Sequence, residues 1–97
     1  IDVRTPQEYS ETGYIKGSEL IPLGELMRDL AKFNSYKDKE IVVLCAVGGR
    51  SRMAAQLLVR EGFKDVRNLI GGIRAWIKFG FPVIGSAKDS TAKYLKT

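Results

Sequence analysis

Hydrophobic spacing divides this chain into short strands and helices. Ile1-Asp2-Val3-Arg4 reads as the end of a buried strand. Thr5-Pro6-Gln7-Glu8 reads as a helix start: Thr5 suits the N-cap, Pro6 the first helical position, and Glu8 completes a capping box. That helix should end near Gly13, and Ile15-Lys16-Gly17-Ser18 reads as a turn. Glu19-Leu20-Ile21 is a short extended piece before Pro22. Leu23, Leu26, Met27 and Leu30 then recur at helical spacing, which predicts a helix from Leu23 to about Phe33 and a polar loop from Asn34 to Lys39.

The second half starts from Glu40-Ile41-Val42-Val43-Leu44, an apolar β-branched run that reads as a buried strand. Ser51 to Glu61 reads as a helix stopped by Gly62. On it Ala54, Leu57, Leu58 and Glu61 share a face, with Met53 beside them, and this face is expected on the sheet; Arg52 reads as solvated. Lys64-Asp65 is a turn and Val66-Arg67-Asn68-Leu69 a short strand. Gly71-Gly72 breaks the chain before a last helix, Ile73 to Lys78, closed by Gly80; Trp76 is expected to pack in the core. Phe81-Pro82-Val83 is an extended exit. Alternating strands and helices predict an α/β domain with a mainly parallel sheet. The domain is placed at residues 1–83, with 84–97 a polar, basic tail expected to be mobile. The chain opens inside a strand without a Met, so further residues are expected upstream.

Composition narrows the chemistry. At 97 residues, 44% apolar and 28% charged, the chain is an ordinary globular domain. The net charge of +5 is spread along it and reads as a solvated surface. No basic run interleaved with aromatics argues for nucleic acid. No apolar run reaches membrane-spanning length, so no membrane contact is expected. One cysteine excludes an internal disulfide and fits a reducing, cytoplasmic setting. The absence of histidine removes Ser-His-Asp triads, Cys-His dyads and imidazole metal sites together. Neither a metal nor a cofactor is expected.

What remains is Cys45 in Cys45-Ala46-Val47-Gly48-Gly49-Arg50-Ser51, at a strand tip and one short loop before a helix. In parallel sheets, sites lie beyond the carboxyl ends of strands. Two glycines allow the loop to curl, which turns successive N–H groups inward as an anion nest. The following helix adds its positive end. Thiols in such settings ionise at a pKa of roughly 3.5–7.5, against about 8.5 when free. Arg4 and Arg67-Asn68 are expected near the same edge.

Four stretches in this order resemble the rhodanese sulfurtransferase family: Asp2-Val3-Arg4-Thr5-Pro6 with Glu8-Tyr9, Gly17 through Ile21-Pro22, the Cys45–Ser51 loop, and Asn68-Leu69 through Gly71-Gly72-Ile73 to Trp76. The resemblance implies a three-layer α/β fold with a small, five-stranded parallel sheet whose first strand lies upstream of Ile1. It implies that Cys45 takes a sulfane sulfur from a donor anion or persulfide, holds it as a persulfide, and passes it to cyanide, a thiol or a protein acceptor. Backbone N–H groups from Ala46 through Val47, Gly48, Gly49 and Arg50 to Ser51 would cradle the persulfide. Arg50 would orient the loop and attract an anionic donor. Asp2 and Arg4 are expected to bond each other or to support the loop from below.

Tyr14 stands where the family often has His, a position expected to be structural. Ala46 and Val47 are uncharged where thiosulfate-preferring members commonly carry a basic residue, so a persulfide donor is as well supported as thiosulfate. Two other readings compete. A Cys-Arg loop phosphatase has five residues between Cys and Arg where this chain has four, and it needs a general acid, which the loop lacks. A non-catalytic binding module on the same fold is the other, since fold alone never proves function.

Overall fold

The computed structural model describes residues 1–85. Helix α1 spans Pro6–Thr12, α2 Leu23–Arg28, α3 Gly49–Arg60 and α4 Gly72–Lys78; strand β1 spans Glu40–Val43 and β2 Asp65–Asn68. β1 and β2 pair in parallel, with Val43 opposite Asn68. Asp2 bridges in parallel to Leu44 on one side and to Leu20 on the other. Four neighbouring segments, in the order Leu20, Asp2, β1, β2, therefore form the parallel sheet among the described residues. The α/β architecture with a small parallel sheet flanked by helices is as expected.

Local chemistry explains most element boundaries. At α1 the Thr5 hydroxyl accepts from the Glu8 amide while the Glu8 carboxylate accepts from the Thr5 amide, so the capping box is complete. β1 alternates rather than being buried throughout: Ile41 and Val43 face the core, while Val42 is 40% exposed. α3 packs on both strands, and α2 packs on α3. Its buried line is Ser51, Ala54 and Leu58, not the wider face expected, because Met53 is exposed and Leu57 only half-buried.

The expected helix from Leu23 to Phe33 is two pieces. α2 ends at Arg28, Asp29 leaves helical geometry (φ −116°, ψ 35°), and Leu30–Tyr36 continues as a 3₁₀ helix that takes in much of the expected polar loop. The tighter winding turns Phe33 inward, where it is 9% exposed in the core with Leu26 and Ile41. Trp76 is half-buried instead of central: its Nε1 donates to the Pro82 carbonyl at 2.7 Å and its ring meets Phe81 at 4.8 Å. Tyr14 stacks on Tyr9 at 4.3 Å and exchanges two backbone hydrogen bonds with Ile84, each 2.9 Å. The tail expected from residue 84 otherwise lies outside the described residues.

Candidate active site

β1 carries the chain to Leu44, which is tied to the first segment by Val3 N–H to Leu44 O and Leu44 N–H to Ile1 O, both 2.9 Å. Cys45 follows at the carboxyl end of the strand and is 1% exposed. The chain then curls through Ala46 and Val47 to Gly48, whose φ of +120° only glycine adopts readily. Helix α3 begins at Gly49, two residues before the expected start, so Gly49, Arg50 and Ser51 form its first turn.

The Cys45 sulfur lies inside this curl. It accepts from the Gly48 amide at 3.1 Å and the Ser51 amide at 3.4 Å, and the Ser51 hydroxyl lies 3.4 Å away. Burial, the largest single influence, pushes the thiol up. The Ser51 hydroxyl and the amides of Ser51, Gly48 and Val47 together outweigh it, so the thiol is more acidic than a free cysteine.

The outer side of the loop explains why its amides face inward. Ile73 N–H donates to Cys45 O at 2.9 Å and Arg74 N–H to Ala46 O at 3.1 Å. In a trans peptide the carbonyl and the next N–H point in opposite directions. With both carbonyls turned out to α4, the Ala46 and Val47 amides are turned away from α4, and the Val47 amide is among those that act on the sulfur. The unpaired amides of the first turn of α4 thus orient the loop. The approach is close: a Cβ on Gly72 would stand 2.4 Å from Cys45 O.

Arg50 is held by a different element. Its Nη1 and Nη2 meet Glu8 Oε1 and Oε2 at 2.6 and 2.8 Å, a bidentate pair that fastens α3 to α1. That contact holds the Glu8 carboxyl down to about 2, with further help from Thr5. Arg50 is therefore paired with a carboxylate, while its charge still acts on Cys45 and Asp2. Asp2 and Arg4 are both fully buried and bond each other: Arg4 Nη2 to Asp2 Oδ2 is 2.7 Å and Arg4 Nε to Asp2 Oδ1 is 3.0 Å. Arg4 also donates to the carbonyls of Gly13 and Glu8, so the pair ties α1 to the sheet and makes no hydrogen bond to the Cys45 loop.

A cleft of about 340 Å³ opens beside the loop, lined by Arg4, Glu8, Ala46, Ile73, Arg74 and Ile77 among others. Of its two arginines, Arg4 is engaged by Asp2, whereas Arg74 is exposed and has no carboxylate partner among the described residues. Sequence reasoning gave Glu8 only a capping role, put Asn68 near the same edge without a role, read Gly72 first as part of a turn, and assigned nothing to Arg74. Glu8 carried a usable signal in its place beside the Arg4 block; Arg74 carried none. No group of three or more potential metal-ligating side chains occurs among the described residues. No helix among them is long and apolar enough to cross a membrane.

Fold and loop together define a parallel α/β domain presenting a single acidified thiol in an amide nest at a strand end. The model of the rhodanese-like domain matches residues 1–79, and the chain belongs to that family. It is 33% identical over 84 residues to a sulfurtransferase of Allochromatium vinosum, covering 87% of this chain and 76% of that protein. It is 41% identical over 76 residues to the YrkF protein of Bacillus subtilis, covering 78% of this chain but only 40% of that longer one. The crystal structure of a rhodanese-related protein from Thermoplasma volcanium matches with a TM-score of 0.79 and 36% identity, over 89% of this chain and 82% of that one.

Proposed function

We propose that the protein is a sulfurtransferase working through a Cys45 persulfide. The observation that carries this reading is the convergence of the Gly48 and Ser51 amides on a buried sulfur whose acidity rises despite burial. The Cys45 thiolate attacks the outer sulfur of the donor. The donor's S–S bond breaks and its electron pair leaves with sulfite, or with a thiolate when the donor is a persulfide. The terminal sulfur of the new Cys45 persulfide is anionic and is stabilised by the same amides, as an oxyanion hole stabilises oxygen. An acceptor such as cyanide or a thiol then attacks that sulfur, and the Cys45 thiolate leaves.

Anion attraction, expected of Arg50, is shared with Arg74, because Glu8 holds Arg50 in an ion pair. Ile73 and Ile77 give the cleft an apolar side that suits an organic persulfide as well as thiosulfate. Phosphate-ester hydrolysis is disfavoured, since the carboxylate lining the cleft, Glu8, stays ionised down to about pH 2 and has no proton to give a leaving group. The test is intact-protein mass spectrometry after incubation with thiosulfate or with a low-molecular-weight persulfide, for wild type and Cys45→Ser. The expected result is one added sulfur on wild type alone, removed by cyanide. A wild type that takes sulfur from neither donor would move the assignment to a binding module.

A further inference from the structure

The Ser51 side chain is fully buried and meets three groups at once. Its Oγ lies 3.4 Å from Cys45 Sγ, 3.2 Å from Gly48 O and 2.6 Å from Asn68 Oδ1. A hydroxyl has one proton to give. With Cys45 neutral, the thiol donates to Ser51 and Ser51 donates to the Asn68 carbonyl, a consistent chain. With the sulfur anionic, the Ser51 proton is wanted at sulfur. Two oxygens then face each other at 2.6 Å with no proton between them, unless the Asn68 carboxamide turns over and donates through Nδ2.

We propose that Asn68 is a positioning residue that acts through Ser51: its carboxamide turns over as the sulfur becomes anionic, and so commits the Ser51 hydroxyl to the thiolate and to the persulfide. A carboxamide can accept in one state and donate in the other; a carboxylate only accepts and an alanine does neither. The β1–β2 register supplies the placement, since Asn68 pairs with Val43, two residues before Cys45, and Leu69 N–H donates to Val43 O at 2.9 Å.

Arg50 of α3 pairs with Glu8 of α1 and also acts on Cys45 through its charge, equally in every variant named below; the buried Asp2 and Arg4 pair with each other. Arg74 of α4 lines the cleft, and Arg67 of β2 is exposed and paired with Asp65 and Glu40. None of them hydrogen-bonds to Ser51 or Asn68 among the described residues.

The inference rests on Cys45 being the reacting thiol, but its readouts are thiol acidity and amide resonances. A failed transfer assay and a failed relay are therefore separate results. The first test is the Cys45 titration, followed by alkylation rate against pH, in Asn68→Asp with and without Ser51→Ala. Asp holds the Ser51 proton permanently, so it should raise the thiol pKa by about one unit, a tenfold loss of thiolate below it. In the Ser51→Ala background most of that shift should vanish. An equal shift in both backgrounds would mean a plain charge effect and would overturn the relay. The second test uses the wild type: the Asn68 side-chain amide resonances should move with the Cys45 titration and stay fixed in Cys45→Ser. Resonances that ignore the titration would overturn it as well.

Discussion

Replacing Gly72 by alanine puts a methyl group where the carbonyls of the Cys45 loop stand. The new Cβ would lie 2.4 Å from Cys45 O and 2.6 Å from Ala46 O, and the residue has a φ of +60°. Left-handed backbone costs an alanine about 1–2 kcal/mol. Overlap with two backbone oxygens, which have no rotamer to escape into, adds roughly 1–3 kcal/mol. The sum of about 2–5 kcal/mol is a large part of the ~5–15 kcal/mol that holds an ordinary domain together. It corresponds to a melting temperature lower by about 10–30 °C in a chain of this size. Gly71→Ala is the control: its φ is +79° and its Cβ would meet the Ala75 Cβ at 2.5 Å, so it strains α4 without reaching the loop. Thermal unfolding and ultraviolet titration of the thiolate would be run on both. Each variant should melt early, but only Gly72→Ala should raise the Cys45 pKa, by about one unit for one lost amide contact to a charged sulfur. If Gly72→Ala melts like Gly71→Ala and titrates like wild type, α4 does not aim the loop amides.

Further outcomes follow from the two arginines and from Glu8. Arg74→Gln should lower kcat/KM for an anionic donor by about threefold to tenfold, with Arg74→Glu worse and both effects shrinking in high salt. An equal loss with an uncharged donor would show that Arg74 shapes the cleft instead of attracting charge. Glu8 titrates at about 2 rather than 4.5, so its contribution to stability is complete above pH 4.5 and is lost as the pH falls toward 2. Its side chain and that of Arg50 are 33% and 38% exposed, and solvent screening holds that contribution to about 1 kcal/mol. The melting-temperature advantage of wild type over Glu8→Gln should therefore shrink between pH 4.5 and 2; a constant gap would show the pair inert.

Much of the fold was legible because short-range chemistry wrote it. The Thr5–Glu8 box, the β-branched run before Cys45 and the Gly62 stop each act within a few residues, and each forms the element its sequence implies, although the strand is buried on one face only. The 3₁₀ segment was not legible, since burying Phe33 and leaving Met27 exposed depends on what α2 packs against. The site divides the same way. Cys45 and its glycines announce a nest, but Arg50 as partner of Glu8, Asn68 behind Ser51, and the α4 amides behind the loop are products of tertiary placement. No local pattern states which acceptor a hydroxyl or guanidinium will find 17 or 42 residues away.

That dispersal has a consequence for how the reactive sulfur comes into being. The Cys45 loop is closed from three directions: by Glu8, by Asn68, and by the residues opening α4. A chain in which only the strand and helix around Cys45 have formed lacks all three. The groups that acidify the sulfur lie within Val47–Ser51, but nothing then holds them converged on it. That convergence is fixed only when the long-range contacts close, after loop-closure entropy has been overcome. A uniform thiolate reactivity therefore serves as a gauge of the fraction of molecules that have completed folding.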